Sequence, residues 1–261
     1  GVDSPWILGY APGRLTRAAL KQKADLYICH AEFGILVGRN LVLKGCRVAY
    51  DIEDWYSRDY LVPTRPVKLL EQLEAFALRN GLYCSCPSMS MAQALQNQYG
   101  GNMPAVIYNG FPVSEIPVAN HPQPKAPPSF IWFSQTIGPG RGLELLIEIL
   151  EQLTIPVEVH LLGDCVEGYD KQLKGIFPFS KGHGLFFHAA VPHQQLLAQI
   201  SQYQVGLALE LNQPDNKDTT VSNKILQYLQ AGIRVLATNT RGQQEVAEFF
   251  SGAVELLPLE N

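Results

Sequence analysis

No run of lysine or arginine occurs in these 261 residues, and the formal net charge is -4. A nucleic-acid footprint needs clustered positive charge, so DNA and RNA are excluded as partners. No apolar stretch approaches the roughly 20 residues of a membrane span. The N-terminus also lacks the basic and apolar pattern of a signal peptide. The expected location is cytoplasmic, with peripheral membrane contact left open. Cysteine is sparse: Cys29, Cys46, Cys84, Cys86 and Cys165 form no CxxC pair. Most fall in or beside apolar runs, the pattern of reduced core thiols rather than a disulfide framework. His183, His188 and His193 recur at intervals of five, on an expected turn, strand and helix start, which is not the ligand spacing of a zinc site.

What is present is apolar material, 46% of the chain. That is enough for a sizeable core in one large domain or two of ordinary size. Residues 113–128, VSEIPVANHPQPKAPP, hold five prolines and no periodic apolar pattern. They read as an extended linker that divides the chain into parts 1–112 and 129–261.

After the linker, apolar runs at 130–134, 157–162, 185–189, 205–211, 233–238 and 253–257 read as strands. Amphipathic segments at 142–153, 194–203, 223–231 and 243–250 separate most of them. Strands alternating with helices at short spacing imply a parallel, doubly wound sheet. Before the linker the same alternation gives strands at 25–29, 47–50, 82–86 and 105–108, with helices at 32–43, 66–80 and 89–99. The expected fold class is α/β, with two Rossmann-like parallel-sheet domains. In such sheets ligands sit beyond the carboxyl ends of the strands.

Several chemically useful residues follow those strand ends. His30 follows DLYIC, and RVAY runs into DIEDWYSRD, which carries Asp51, Glu53 and Asp54. Asp51 and Glu53 could mimic a metal-binding acidic pair, but no further ligand is placed by sequence, and no metal is expected. In the second part, SQTIGPGRGLELL sets a glycine-rich turn and Arg141 between the first strand and its helix. Glycines let a backbone approach a diphosphate, and an arginine can fork two of its oxygens. The turn is neither a Walker loop nor a GxGxxG fingerprint.

The stretch TTVSNKILQYLQAG, 219–232, reads as a polar loop entering a sharply started helix. Ser222 is expected to cap that helix through its hydroxyl, Ile225, Leu226 and Leu229 to form its apolar face, and Gly232 to end it. Free first-turn amides together with Lys224 suit a phosphate. A capped tip alone is also what ordinary structural helices show.

The order of these motifs resembles a known family. YNG, RGLELL, LLGD, LFFHAAVP and SNKILQYLQAG, preceded by CHAEFGILVG, YDIEDWYSRD and CPSMSMAQALQNQYG, resemble retaining glycosyltransferases of the GT-B fold, family 4. The resemblance covers nearly the whole chain. It implies a C-terminal domain that binds a nucleoside diphosphate sugar, an N-terminal domain for the acceptor, and metal-independent transfer in the cleft between them, with the donor as substrate and no cofactor.

On this match Arg141 is the basic residue beside the glycine turn, with Gly140 at the donor. Ser222, Asn223 and Lys224 would face the diphosphate, Val191 would meet the base through its backbone, and His30 would sit by the transferred sugar. Glu53 is a candidate for contact with the acceptor, an unidentified saccharide, lipid or small molecule. The family's second basic contact falls at Gln135, and its paired glutamates fall at Thr219 and Gln227, with Asp218 adjacent as a substitute. Those replacements keep a non-catalytic nucleotide-sugar binder or partner subunit open as the alternative, and another GT-B enzyme such as an epimerase as a third. The early arrival of the histidine strand and the stop after AVELLPLEN read as a fragment of such a protein.

Overall fold

The computed structural model describes residues 11–59, 64–112 and 127–259. Most of the proline-rich stretch, 113–126, lies outside them. The chain forms two compact units. Unit 1 comprises 1–109 together with 212–221, and unit 2 comprises 110–211 with 222–261.

Unit 1 begins with α1 (Pro12–Lys21), then β1 (Tyr27–His30), α2 (Ala31–Val42) and β2 (Val48–Asp51). A short 3-10 turn at Tyr56–Arg58 leads to α3 (Val67–Asn80), β3 (Cys84–Cys86), α4 (Met89–Tyr99) and β4 (Ala105–Val106). The strands form one parallel sheet in the order β1-β2-β3-β4. Its core gathers Ile35, Leu41, Leu70, Leu73 and Leu95, apolar positions of the helices turned onto the strands, with Tyr50 of β2. The register pairs His30 with Asp51 and Asp51 with Ser85. Three polar residues therefore line up at one end of adjacent strands.

Unit 2 contains β5 (Ser129–Ile137), α5 (Leu143–Gln152), β6 (Glu158–Cys165), α6 (Tyr169–Ile176), β7 (Gly184–His188), α7 (His193–Ile200) and β8 (Val205–Ala208). After the excursion through α8 (Asp215–Thr219), which clusters with unit 1, come α9 (Asn223–Gln230), β9 (Arg234–Thr238), α10 (Arg241–Phe249) and β10 (Val254–Leu257). The six strands are parallel in the order β10-β9-β8-β5-β6-β7. Counted from β5, this is the doubly wound order 3-2-1-4-5-6, whose switch point lies between β5 and β8. Both units are Rossmann-like, as the alternation of strands and helices implies.

Three helices went unread in the sequence: α1, α6 and α8. Also, α9 does not turn the expected face inward. Ile225, Gln227 and Tyr228 are buried, while Leu226 and Leu229 are half-buried. The reason is Tyr228, fully buried against the sheet, whose hydroxyl lies 3.1 Å from the Ile131 carbonyl and 3.2 Å from that of Leu207. Gly206 makes room for it, since a Cβ there would lie 2.2 Å from the tyrosine ring. Gly232 ends α9 at φ +73°, as expected.

Candidate functional site

The carboxyl ends of β5 and β8 in unit 2 collect most of the predicted donor residues. The turn after β5 folds directly onto the chain leaving β8. Gly142 adopts φ +81°, and a Cβ on it would stand 2.5 Å from the Leu209 carbonyl oxygen. This contact needs glycine twice over, for conformation and for space. It leaves Gly140 and Arg141 exposed at the strand ends. The Arg141 guanidinium donates to Ser134 Oγ of β5 at 3.2 Å and is otherwise directed to solvent.

On the β8 side, α9 starts at Ser222. The residue holds the N-cap position at φ -73°, ψ 143°, but its hydroxyl makes no capping bond, contrary to expectation. Ser222 Oγ is buried and has no hydrogen-bond partner among the described residues. A buried hydroxyl left without a partner costs free energy, on the order of 1–3 kcal/mol, unless a ligand or water satisfies it. It sits where the first-turn amides of α9 also point outward without intrahelical partners.

Two residues that motif matching does not single out, Glu210 and Trp132, complete this end of the sheet around Lys224. Lys224 Nζ donates to Glu210 at 2.7 Å, with both side chains mostly buried. Its ammonium also lies 5.9 Å from the centre of the Trp132 ring. Trp132 is fully buried on β5, and its indole N–H likewise has no partner among the described residues. Glu210 places a carboxylate at the site that matching by motif missed; the available signal was an acidic residue directly after the apolar run VGLAL.

The remaining predicted residues are distributed as follows. Val191 follows β7, the edge strand two places from β5. Gln227 is buried on α9 and Asn223 is exposed at its start. Gln135 is exposed on β5. Asp218 and Thr219 belong to α8 in unit 1. Thr219 is fully buried, its hydroxyl donating to Asp215 O and Asn216 O within its own turn while its carbonyl accepts from Ser88 Oγ at 2.6 Å. Its side chain is thus occupied in holding α8 rather than offered outward.

Unit 1 has its own polar cluster. His30 Nδ1 lies 3.0 Å from Asp51 Oδ2 and 3.8 Å from Glu53 Oε1. Asp51 Oδ1 accepts from Ser85 Oγ at 2.7 Å. His30 and Glu53 are exposed, while Ser85 is buried. Donor atoms of His30, Asp51 and Glu53 all come within 4.8 Å of one another, close enough to share a cation. The start of α2 lies at His30, however, and the positive end of a helix opposes a cation.

Around this cluster the acidic loop is firmly held. The Asp54 carboxylate accepts from Asn216 Nδ2 at 3.1 Å, and Asn216 Oδ1 accepts from the Trp55 amide at 2.8 Å. Burial raises the Asp54 carboxyl above the usual carboxylate range. Glu32 is raised by burial as well, against the opposing charge of Arg65, with which it pairs. Glu74, fully buried, accepts from Ser57 N, Ser57 Oγ and Tyr99 OH, and burial pushes it up to about 7.

No protein-family model and no curated protein matches the chain. Solved structures do. HepE of Anabaena, solved in complex with UDP and glucose, aligns with a TM-score of 0.66 at 18% identity, over 94% of this chain and 67% of that one. Sucrose-phosphate synthase from Thermosynechococcus elongatus aligns with a TM-score of 0.73 at 14% identity, over 96% and 64%. An E. coli trehalose-6-phosphate protein bound with UDP-2-fluoro glucose gives 0.63 at 12%, over 94% and 65%. The chain therefore spans about two thirds of the length of these proteins and shares their fold, the two Rossmann-like units of the GT-B class.

Proposed function

We propose that this chain acts in transfer of a sugar from a nucleoside diphosphate donor to an acceptor, with retention of anomeric configuration, as in family 4. The observation that carries the reading is Ser222 Oγ, buried and without a partner among the described residues, beside the outward-pointing amides of α9 at the switch point of unit 2. Hydroxyl, amides, Lys224 and Arg141 together form a set of donors suited to a diphosphate. Charge develops on that diphosphate as the glycosidic bond breaks, and donors already in place stabilise it without reorganising. Arg141 is the exposed forked contact and Lys224 the one held by its pairing with Glu210. Gly140 gives close backbone approach. Val191 contributes a backbone contact to the base, Gln227 a hydrogen bond to the ribose, and Asn223 a further polar contact at the helix tip. In unit 1, His30 orients the sugar, Glu53 meets the acceptor, and Asp218 supplies a substitute carboxylate. The UDP and UDP-sugar complexes among the fold neighbours support uridine as the base to try first.

Calorimetric titration with UDP, GDP and ADP, repeated on Arg141→Ala, tests the reading. Base-selective binding that weakens in the variant is expected. Equal binding to both proteins would remove Arg141 from the site, and no binding of any of the three would sink the donor assignment.

A further inference from the structure

The polar residues at the end of the unit 1 sheet form an ordered relay rather than a loose acidic loop. Parallel register sets His30, Asp51 and Ser85 side by side on β1, β2 and β3. Each of the two Asp51 oxygens has its own partner: Oδ2 faces His30 Nδ1 at 3.0 Å, and Oδ1 accepts from Ser85 Oγ at 2.7 Å. Ser85 is buried and Asp51 only partly exposed, so the carboxylate is braced from the core side while the imidazole projects outward. Glu53 Oε1, at 3.8 Å, faces the same ring nitrogen.

An ionised carboxylate can only accept hydrogen bonds. Two carboxylates facing Nδ1 therefore place a proton on that nitrogen. In the neutral ring this leaves the lone pair on Nε2. A free imidazole side chain prefers the opposite tautomer, so the strand-end pairing works against the ring's own bias. The hydrogen bond made by one ring nitrogen sets the role of the other.

We propose that Asp51, braced by Ser85, is a positioning residue that fixes His30 in the Nδ1-protonated tautomer, so that Nε2 presents an acceptor to a hydroxyl of the bound sugar. The inference rests on the proposed role of His30 toward the sugar and deepens it. It assigns His30 the part of reading a hydroxyl that donates, and a donor sugar lacking that hydroxyl is selected against. A site built to pair a hydroxyl discriminates strongly, because its absence leaves the acceptor unpaired.

The test is a long-range nitrogen–proton NMR spectrum of the histidine rings at pH 8 on the whole chain, with the His30 signals assigned through His30→Gln. The wild-type ring is expected to show Nδ1 carrying the proton and Nε2 bare. In Asp51→Ala the signature is expected to move to the Nε2-protonated form, and in Ser85→Ala, which keeps the Asp51 acceptor, to stay as in wild type. A wild-type ring protonated at Nε2 would overturn the proposal. So would an Asp51→Ala ring unchanged from wild type, or His30 signals that depend on added zinc or manganese.

A transfer assay separates the two layers. With the tautomer shifted by NMR, Asp51→Ala is expected to lower kcat by roughly a hundredfold, through a misplaced ring, with little change in UDP affinity. Unchanged transfer in His30→Gln would instead remove His30 from the proposed function while leaving the tautomer result standing.

Discussion

The Lys224–Glu210 pair offers the sharpest test of how unit 2 is built. The two groups meet at 2.7 Å, with 19% and 14% of their side chains exposed. Charge-assisted hydrogen bonds contribute about 1.5–3 kcal/mol net. Removing one member of a buried pair costs more, about 3–5 kcal/mol, because the other charge is stranded. Partial exposure places this pair below that range, so Lys224→Met or Glu210→Gln is expected to cost about 2–3 kcal/mol in local stability.

The double variant strands nothing and is expected to lose no more than the worse single one, a coupling energy of about 2 kcal/mol. Hydrogen exchange of the α9 and β8 amides reads this within one unit and so avoids treating a two-unit chain as a single transition. At about 1.4 kcal/mol per tenfold, exchange in each single variant is expected to quicken by roughly thirtyfold or more. Calorimetry then asks what the pair does to a ligand. Glu210→Gln releases Lys224 from a competing carboxylate and is expected to tighten UDP severalfold, whereas Lys224→Met weakens it. Strictly additive single effects would refute the coupling, and weaker UDP binding in Glu210→Gln would show that the carboxylate itself serves the ligand.

Three further outcomes are expected. Gly142→Ala forces a positive-φ residue and a Cβ 2.5 Å from a backbone oxygen, so a loss of roughly 3 kcal/mol is expected from hydrogen exchange of the unit 2 strands; a loss below about 1 kcal/mol would mean the turn after β5 accommodates the side chain. Arg141→Ala, by contrast, is expected to leave unfolding unchanged while weakening UDP, since its bond to Ser134 is an exposed contact. For Glu74, the folded state holds its proton up to about pH 7 while the unfolded state releases it near 4.5. The folded state thus binds more protons across that window, so stability falls as pH rises from about 4.5 to 7, by about 3 kcal/mol at 1.4 kcal/mol per unit. Glu74→Gln is expected to flatten the slope whatever its constant offset, and a slope that persists would assign it to another group.

The sequence carried its fold because both periodicities were written plainly. Apolar runs of four to seven residues bounded by turns mark the strands of a parallel sheet, and nearly every one lies where its run predicts. The helices that escaped are the ones lacking such a signal. Helix α1 buries only Thr16, and α8 is five residues long and rich in charge. The inward face of α9 was misjudged because a tyrosine with two carbonyls within reach and a glycine beneath it can displace a leucine, which hydropathy alone does not register.

Site residues divide along a different line. Those set by local chain geometry, such as the glycine turn and the start of α9, could be placed from sequence. Those created by register could not: nothing in DLYICH or RVAYD says that His30 and Asp51 end as lateral partners, since that follows only from how two parallel strands align. Asn216 shows the same limit at longer range. It lies 161 residues from Trp55, yet its amide joins the Trp55 backbone and the Asp54 carboxylate in one network. A buried asparagine that satisfies both a donor and an acceptor is a costly group to misplace, so the acidic loop keeps its shape only while α8 stays docked. Asn216→Ala is therefore expected to quicken hydrogen exchange in 53–59 and in α8 together while leaving α9 unchanged. Separate responses of the two segments would mean that each is held by other contacts.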